Sequence, residues 1–187
     1  MGSDQWSGPA IGDRYVSVKV TRSEVECERL ARDLSRQAAE QHPAIVQHLD
    51  RALRLVLEDL GVSPSGFFEA LWMTPEMEME IRPWSTPHPP PSVPGEWWRG
   101  LMYIEGEKHL SVDVDASLPE EHLPYSIALA IQNTVEEAVR EPRPRCPLHG
   151  HALAPSGTLR GAVWECPDDG TLWWCYMGQY QQAVSSD

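Results

Sequence analysis

The chain has 187 residues, a hydrophobic fraction of 41% and a formal net charge of −13, enough apolar material for one ordinary domain and a small appendage. No apolar run approaches the roughly 20 residues that a membrane-spanning helix needs. Residues Met1 to Ser7 carry neither the cationic stretch nor the apolar run of a secretory signal, so the expected setting is cytoplasmic and away from membranes.

The acidity is concentrated. Residues 61–140 hold 13 acidic and 4 basic side chains, whereas the flanking segments are close to balanced. Such a field repels phosphate, which argues against nucleic acid and favours a basic or neutral protein partner. Three of the four cysteines fall in the last 42 residues, and in a cytoplasmic setting they read as thiols or metal ligands rather than disulfides. Cys27 stands apart as a buried thiol.

In chain order, Val16, Val18 and Val20 alternate as a candidate edge strand. Ser23 and Glu26 form a capping box, and Cys27, Leu30, Ala31, Leu34 and Ala38 recur at helical spacing, which predicts a helix over about 24–41. Pro43 opens a second helix, about 44–60, whose stripe Ile45, Val46, Leu49, Ala52, Leu53, Val56, Leu57 and Leu60 ends at Gly61, a C-terminal cap. A short third helix over about 65–73 is expected to carry Phe67, Phe68, Leu71 and Trp72.

The stretch Leu49 to Phe68, with Leu60-Gly61-Val62-Ser63-Pro64 closing its helix, resembles the end of a lambda-repressor-type helix-turn-helix domain. The resemblance implies a DNA-binding regulator built on the N-terminal helical hairpin. A tight-turned helix pair with a polar recognition face does not precede it, so the hairpin reads first as core-forming.

Met77, Met79 and Ile81 alternate with Glu76, Glu78 and Glu80, which predicts a half-buried strand over about 76–82. A loop with six prolines follows, from Pro83 to Pro94, and reads as a stiff surface connector. Strands over about 97–105 and 108–116 then flank the turn Glu105-Gly106-Glu107-Lys108.

On the second of these strands His109, Asp113 and Asp115 share the polar face, the arrangement in which a metal-dependent hydrolase could be built; a solvated outer face is the plainer reading. A long helix over about 120–140 has acidic residues in its first turn and the stripe Ile127, Ala130, Ile131, Val135 and Ala138 to cover the sheet. The run Glu141-Pro142-Arg143-Pro144-Arg145 reads as a hinge.

The tail carries Cys146-Pro147-Leu148-His149-Gly150 and Cys166-Pro167-Asp168-Asp169-Gly170, two copies of Cys-Pro-x-x-Gly separated by the spacing of a paired-knuckle zinc ribbon. Strand-like flanks around Ala162-Val163-Trp164 and Trp173-Trp174-Cys175-Tyr176 suit that fold. Cys146, His149, Cys166 and Asp169 are the candidate ligands of a closed, structural zinc, with His151 open as a substitute for His149, and Cys175 or Asp168 as a substitute for Asp169. A metal-free ribbon held by Trp164, Trp173, Trp174 and Tyr176 is the competing reading.

The pair Ile131-Gln132 and the runs Cys146-Pro147-Leu148-His149-Gly150-His151 and Trp164-Glu165-Cys166-Pro167 resemble the C-terminal part of small bacterial proteins of unknown function. That resemblance implies a shared architecture and no known activity. The expected fold is therefore α+β: in residues 1–141 an N-terminal helical hairpin and a three-stranded antiparallel sheet covered by a long helix, and in residues 142–187 a zinc-ribbon-like subdomain. The leading functional expectation is a non-enzymatic interaction or adaptor module, with the hydrolase and the DNA-binding regulator as alternatives.

Overall fold

The computed structural model describes residues 23–62, 68–81, 96–104, 107–159, 161–169 and 173–185. Helix α1, Glu24–Gln41, starts at the expected capping box: Ser23 Oγ accepts from the Glu26 amide, and the Glu26 carboxylate accepts from the Ser23 amide. Helix α2, Pro43–Asp59, has proline in its first turn, where the absent N–H costs no intrahelical bond. It ends as its glycine predicts. Gly61 sits at φ +67°, and the Gly61 and Val62 amides donate back to the carbonyls of Glu58 and Leu57.

The next two elements are exchanged relative to the sequence reading. Phe68–Met73 is strand β1, not part of a helix, and Pro75–Ile81 is helix α3, not a strand. The apolar run Leu71-Trp72-Met73 is buried on both faces of the strand, and such a run has no helix-or-strand signature of its own. Pairing with β2 decides it, in register from Phe68↔Ile104 to Met73↔Arg99.

In α3, Met77 and Ile81 are one helical turn apart and buried, while Met79 points out and is 56% exposed. Alternation of apolar residues over five positions fits either period at its two ends. Thr74 starts this helix, its Oγ1 accepting from the Met77 amide, with Pro75 next and acidic Glu76 and Glu78 in the first turn.

Strands β2, Trp97–Ile104, and β3, Glu107–Asp115, complete an antiparallel sheet of order β1-β2-β3. Gly100 faces Trp72 across the ladder, and a Cβ there would come within 2.6 Å of the indole and 2.8 Å of the Met102 methyl. A 3₁₀ turn, Glu120–His122, leads into the long helix α4, Leu123–Val139, which packs on α2 and on β3 as the apolar stripe requires. Among the described residues no helix is long and apolar enough to cross a membrane.

A second antiparallel sheet follows, of order β4-β5-β6: Ala154–Thr158, Gly161–Glu165 and Trp174–Tyr176, ahead of the short helix α5, Tyr180–Val184. Strand β4 was not anticipated. One apolar core joins the segments on either side of residue 141, since Trp72, Trp98, Leu57 and Ile131 belong to the same buried cluster as Cys146, Trp164 and Met177.

A polar clip reinforces the join. Asp59, at the end of α2 and 3% exposed, accepts from the Trp164 indole N–H at 2.8 Å, the Gly178 amide at 2.5 Å and the Tyr180 amide at 3.1 Å. The expected strand over 15–20 and the proline-rich loop of residues 83–94 lie outside the described residues.

Candidate metal centre

Two pieces of backbone build the centre. In the first, Arg145 and Ala152 form an isolated antiparallel bridge, the Cys146 amide donates to the His151 carbonyl at 2.7 Å, and the Gly150 amide donates to the Cys146 carbonyl at 2.8 Å. This closed loop turns at Gly150, whose φ of +77° suits glycine. The turn brings His149 and His151 to the same side as Cys146, their rings stacked 5.3 Å apart.

In the second piece, β5 runs into Cys166, and the Cys166 amide donates to the Trp173 carbonyl, pairing the strand's exit with the approach to β6. The backbone N–H groups of Asp168 and Asp169 turn towards the Cys166 sulfur. Amides directed at a thiolate are the physical content of a Cys-Pro-x-x-Gly turn.

The ligand atoms of Cys146, His149, His151 and Cys166 all lie within 4.8 Å of one another. His149 Nδ1 is 3.6 Å from Cys146 Sγ and 3.3 Å from Cys166 Sγ, and His151 Nε2 is 3.7 Å from Cys166 Sγ. Both cysteines are 1% exposed, while the imidazoles lie at the surface, His149 exposed and His151 half-buried. Four such donors can hold a metal ion, and two thiols with two imidazoles are compatible with zinc.

The electrostatics favour an anion at the Cys166 sulfur. Burial alone would push the Cys166 thiol up, but the amides of Asp169 and Asp168, with the His149 ring and the Cys146 thiol, outweigh it and bring it down to about 7. The hydrogen bond to the Ala152 carbonyl, joined by the charge of Asp168, raises His151 above the ordinary imidazole range. Because a carbonyl can only accept, His151 Nδ1 carries the proton in that 2.9 Å contact, and Nε2 faces the sulfurs, with the Asp168 carboxylate 3.1 Å away.

The gathered set differs in membership from the sequence expectation: His151 lies in it beside His149 and not in its place. Asp169 contributes its backbone N–H to Cys166, and its carboxylate is not among the gathered donors. Cys175 is not there either. It is buried in the core, 6% exposed, and burial together with the neighbouring Asp59 charge pushes its thiol up to about 12. The spacing of two matched turns suggested matched ligands, whereas the loop closed by Arg145 and Ala152 supplies three donors and the second turn one.

The acidic face of the sheet is built differently from the sequence reading. Glu76, Glu78 and Glu80 are on α3 and not on a strand. Asp113 receives Nε and Nη2 of Arg99, its cross-strand neighbour, at 2.7 and 3.0 Å, and Arg99 Nη1 bonds Glu78. Asp115 Oδ1 accepts from the Glu96 and Ser117 amides and from the Ser117 hydroxyl, closing the end of β3. The side chain of His109 lies outside the described residues.

Gln132 escaped the sequence reading as a site residue. It is 8% exposed on α4, and its amide nitrogen donates to the carbonyls of Arg143 and Leu153, both at 2.7 Å. A polar residue beside the apolar Ile131, on a helix whose stripe faces the core, was the available signal. Searches of family models, of curated proteins and of solved structures found no match to this chain.

Proposed function

We propose that this protein is a non-enzymatic interaction or adaptor module whose C-terminal segment is a zinc-ribbon-like clip closed by one structural zinc. The convergence of Cys146, His149, His151 and Cys166 within 4.8 Å carries the reading. Two thiolates and two neutral imidazoles would leave a divalent ion formally uncharged, which suits a centre whose sulfurs are withdrawn from water. Four protein donors fill a tetrahedral zinc and leave no position for water or substrate, so the ion's role is to hold the fold.

The interaction role is supported by the formal charge of −13 and by Leu148 and Trp174, which are 55% and 51% exposed on the metal-bearing segment. The engagement of Asp113 by Arg99 and of Asp115 by its own turn leaves neither carboxylate poised for acid-base work. A basic or neutral protein partner fits this surface.

Elemental analysis of the purified protein tests the reading. One zinc per chain is expected, with less than a tenth of that in Cys166→Ser and unchanged content in Asp169→Asn. A metal-free wild type would overturn the clip. A set of captured proteins identical for wild type and Cys166→Ser would count against the metal-bearing segment as the docking element.

A further inference from the structure

We infer that Gln132 is a positioning residue for the metal centre: it sets the loop that supplies Cys146, His149 and His151 before any ion binds. The inference rests on the metal reading proposed above and deepens it.

The loop of residues 144–152 is tied across its neck by three features. These are the Leu153 amide donating to the Pro144 carbonyl at 2.8 Å, the Arg145↔Ala152 bridge, and the Cys146 amide donating to the His151 carbonyl at 2.7 Å. All of them are backbone contacts of the loop and of Leu153, which follows it. They fix its shape and say nothing of where it sits relative to Cys166, which arrives from β5.

At the surface the Tyr180 hydroxyl donates to the Arg145 carbonyl; on the buried side Gln132 supplies the placement. Its single –NH2 group spans the neck, one hydrogen for the carbonyl of Arg143 on the incoming strand of the loop and one for Leu153 on the outgoing strand. Both acceptors are carbonyls, so the amide orientation is fixed by chemistry: only the nitrogen can face them. With Gln132 8% exposed and Leu153 1% exposed, water is a poor substitute, and removing the donor strands a buried carbonyl.

Helix α4 also packs on β4 and β5, the latter ending at the residue before Cys166. The helix therefore holds both halves of the donor set, one through Gln132 and the other through packing. A four-donor centre is sensitive to such placement, because displacing three ligands together by a fraction of an ångström relative to Cys166 leaves no point at which an ion keeps all four bond lengths.

The test is Co²⁺ titration of the full-length, metal-stripped protein, read by the thiolate-to-cobalt and ligand-field absorption bands, with Zn²⁺ competition to give affinity. Gln132→Leu keeps the volume without a donor, and Gln132→Glu keeps the shape with an acceptor in place of the donor. Asp59→Asn is the control for general loosening, since it weakens the attachment of the C-terminal sheet and reaches the loop neck only at second hand, through Tyr180, whose hydroxyl donates to the Arg145 carbonyl.

Both Gln132 variants are expected to weaken binding about 10- to 100-fold, the size of loss usual when a residue that helps orient a metal's ligands is removed, and to shift the ligand-field band. Asp59→Asn should bind within about threefold of wild type. If Gln132→Leu does not fold, Gln132→Glu carries the test, together with amide exchange at Cys146 and Leu153 in the metal-free protein, which should quicken at least tenfold.

Equal affinity and an unchanged band in the Gln132 variants would overturn the positioning role and leave the zinc reading standing. The same would follow if Asp59→Asn lost affinity as severely as they do, since general loosening would then account for the loss. A wild type that binds no cobalt would remove both.

Discussion

Cys175 shows how little a residue's type says about its use. Three cysteines lie near one another in the sequence of the tail, yet two have sulfurs brought together and the third faces Asp59 in the core. An ordinary thiol of this kind titrates near 9.0, and in the folded chain burial, assisted by the Asp59 charge, pushes this one up to about 12. The folded state thus keeps a proton that the unfolded chain releases.

The stability from Cys175 is fully present below about pH 9 and is lost as pH rises towards 12. Cys175→Ala should accordingly flatten the decline in stability across that window, as measured by urea unfolding at pH 8, 9.5 and 10.5, and should keep its full metal content. An unchanged slope, or loss of the metal, would show that this thiol is not the one described.

The two cysteines of the centre were legible in the sequence because the Cys-Pro-x-x-Gly turn is a local device. His151 was legible only as a substitute, since its approach depends on the Arg145↔Ala152 bridge, which spacing does not encode.

At the scale of elements, the interchange of β1 and α3 has a consequence for the acidic middle of the chain. Glu78 would stand on a solvated sheet face if α3 were a strand. On a helix it reaches back to Arg99, whose guanidinium is 7% exposed and holds Glu78 and Asp113 together.

A helix of seven residues has little stability of its own, so α3 persists through Met77, Ile81 and this ion pair. Replacing Arg99 removes the only partner that the ion pairs give these two carboxylates among the described residues, and breaking a buried pair from one side typically costs about 3–5 kcal/mol. Part of that is discounted because Asp113 is 38% exposed.

Arg99→Met should therefore destabilise by roughly 2–4 kcal/mol in urea unfolding, and the double variant Arg99→Met with Glu78→Gln should recover part of it. A loss below 1 kcal/mol would mean that the cluster is solvated after all. The helical hairpin and the long helix were legible because their stripes run over four turns or more. The seven-residue α3 and six-residue β1 were not, because a short apolar run fits both periods and the partner strand decides.

On the scale of the whole molecule, the sequence suggested a domain and an appended ribbon, with prolines 142 and 144 as the hinge. Among the described residues one buried cluster runs across that point. Trp164 of the second sheet is fully buried in the same cluster as Trp72 and Trp98 of the first, and Asp59 fastens α2 to Trp164, Gly178 and Tyr180.

A centre embedded in this way could not release a bound ion without loosening the rest. If the ion binds the folded chain alone, a hundredfold excess of free zinc over its dissociation constant adds about 2.7 kcal/mol. For a chain of this size that corresponds to a rise in Tm of roughly 5–10 °C.

The shift should appear in one transition, with tryptophan fluorescence and far-ultraviolet circular dichroism coinciding, because Trp164 and Trp173 share the cluster with the tryptophans of the first sheet. Chelation should lower that single transition without dividing it. Two transitions, with only the lower one sensitive to metal, would mean that the C-terminal segment folds independently and that the Asp59 clip joins two units instead of completing one.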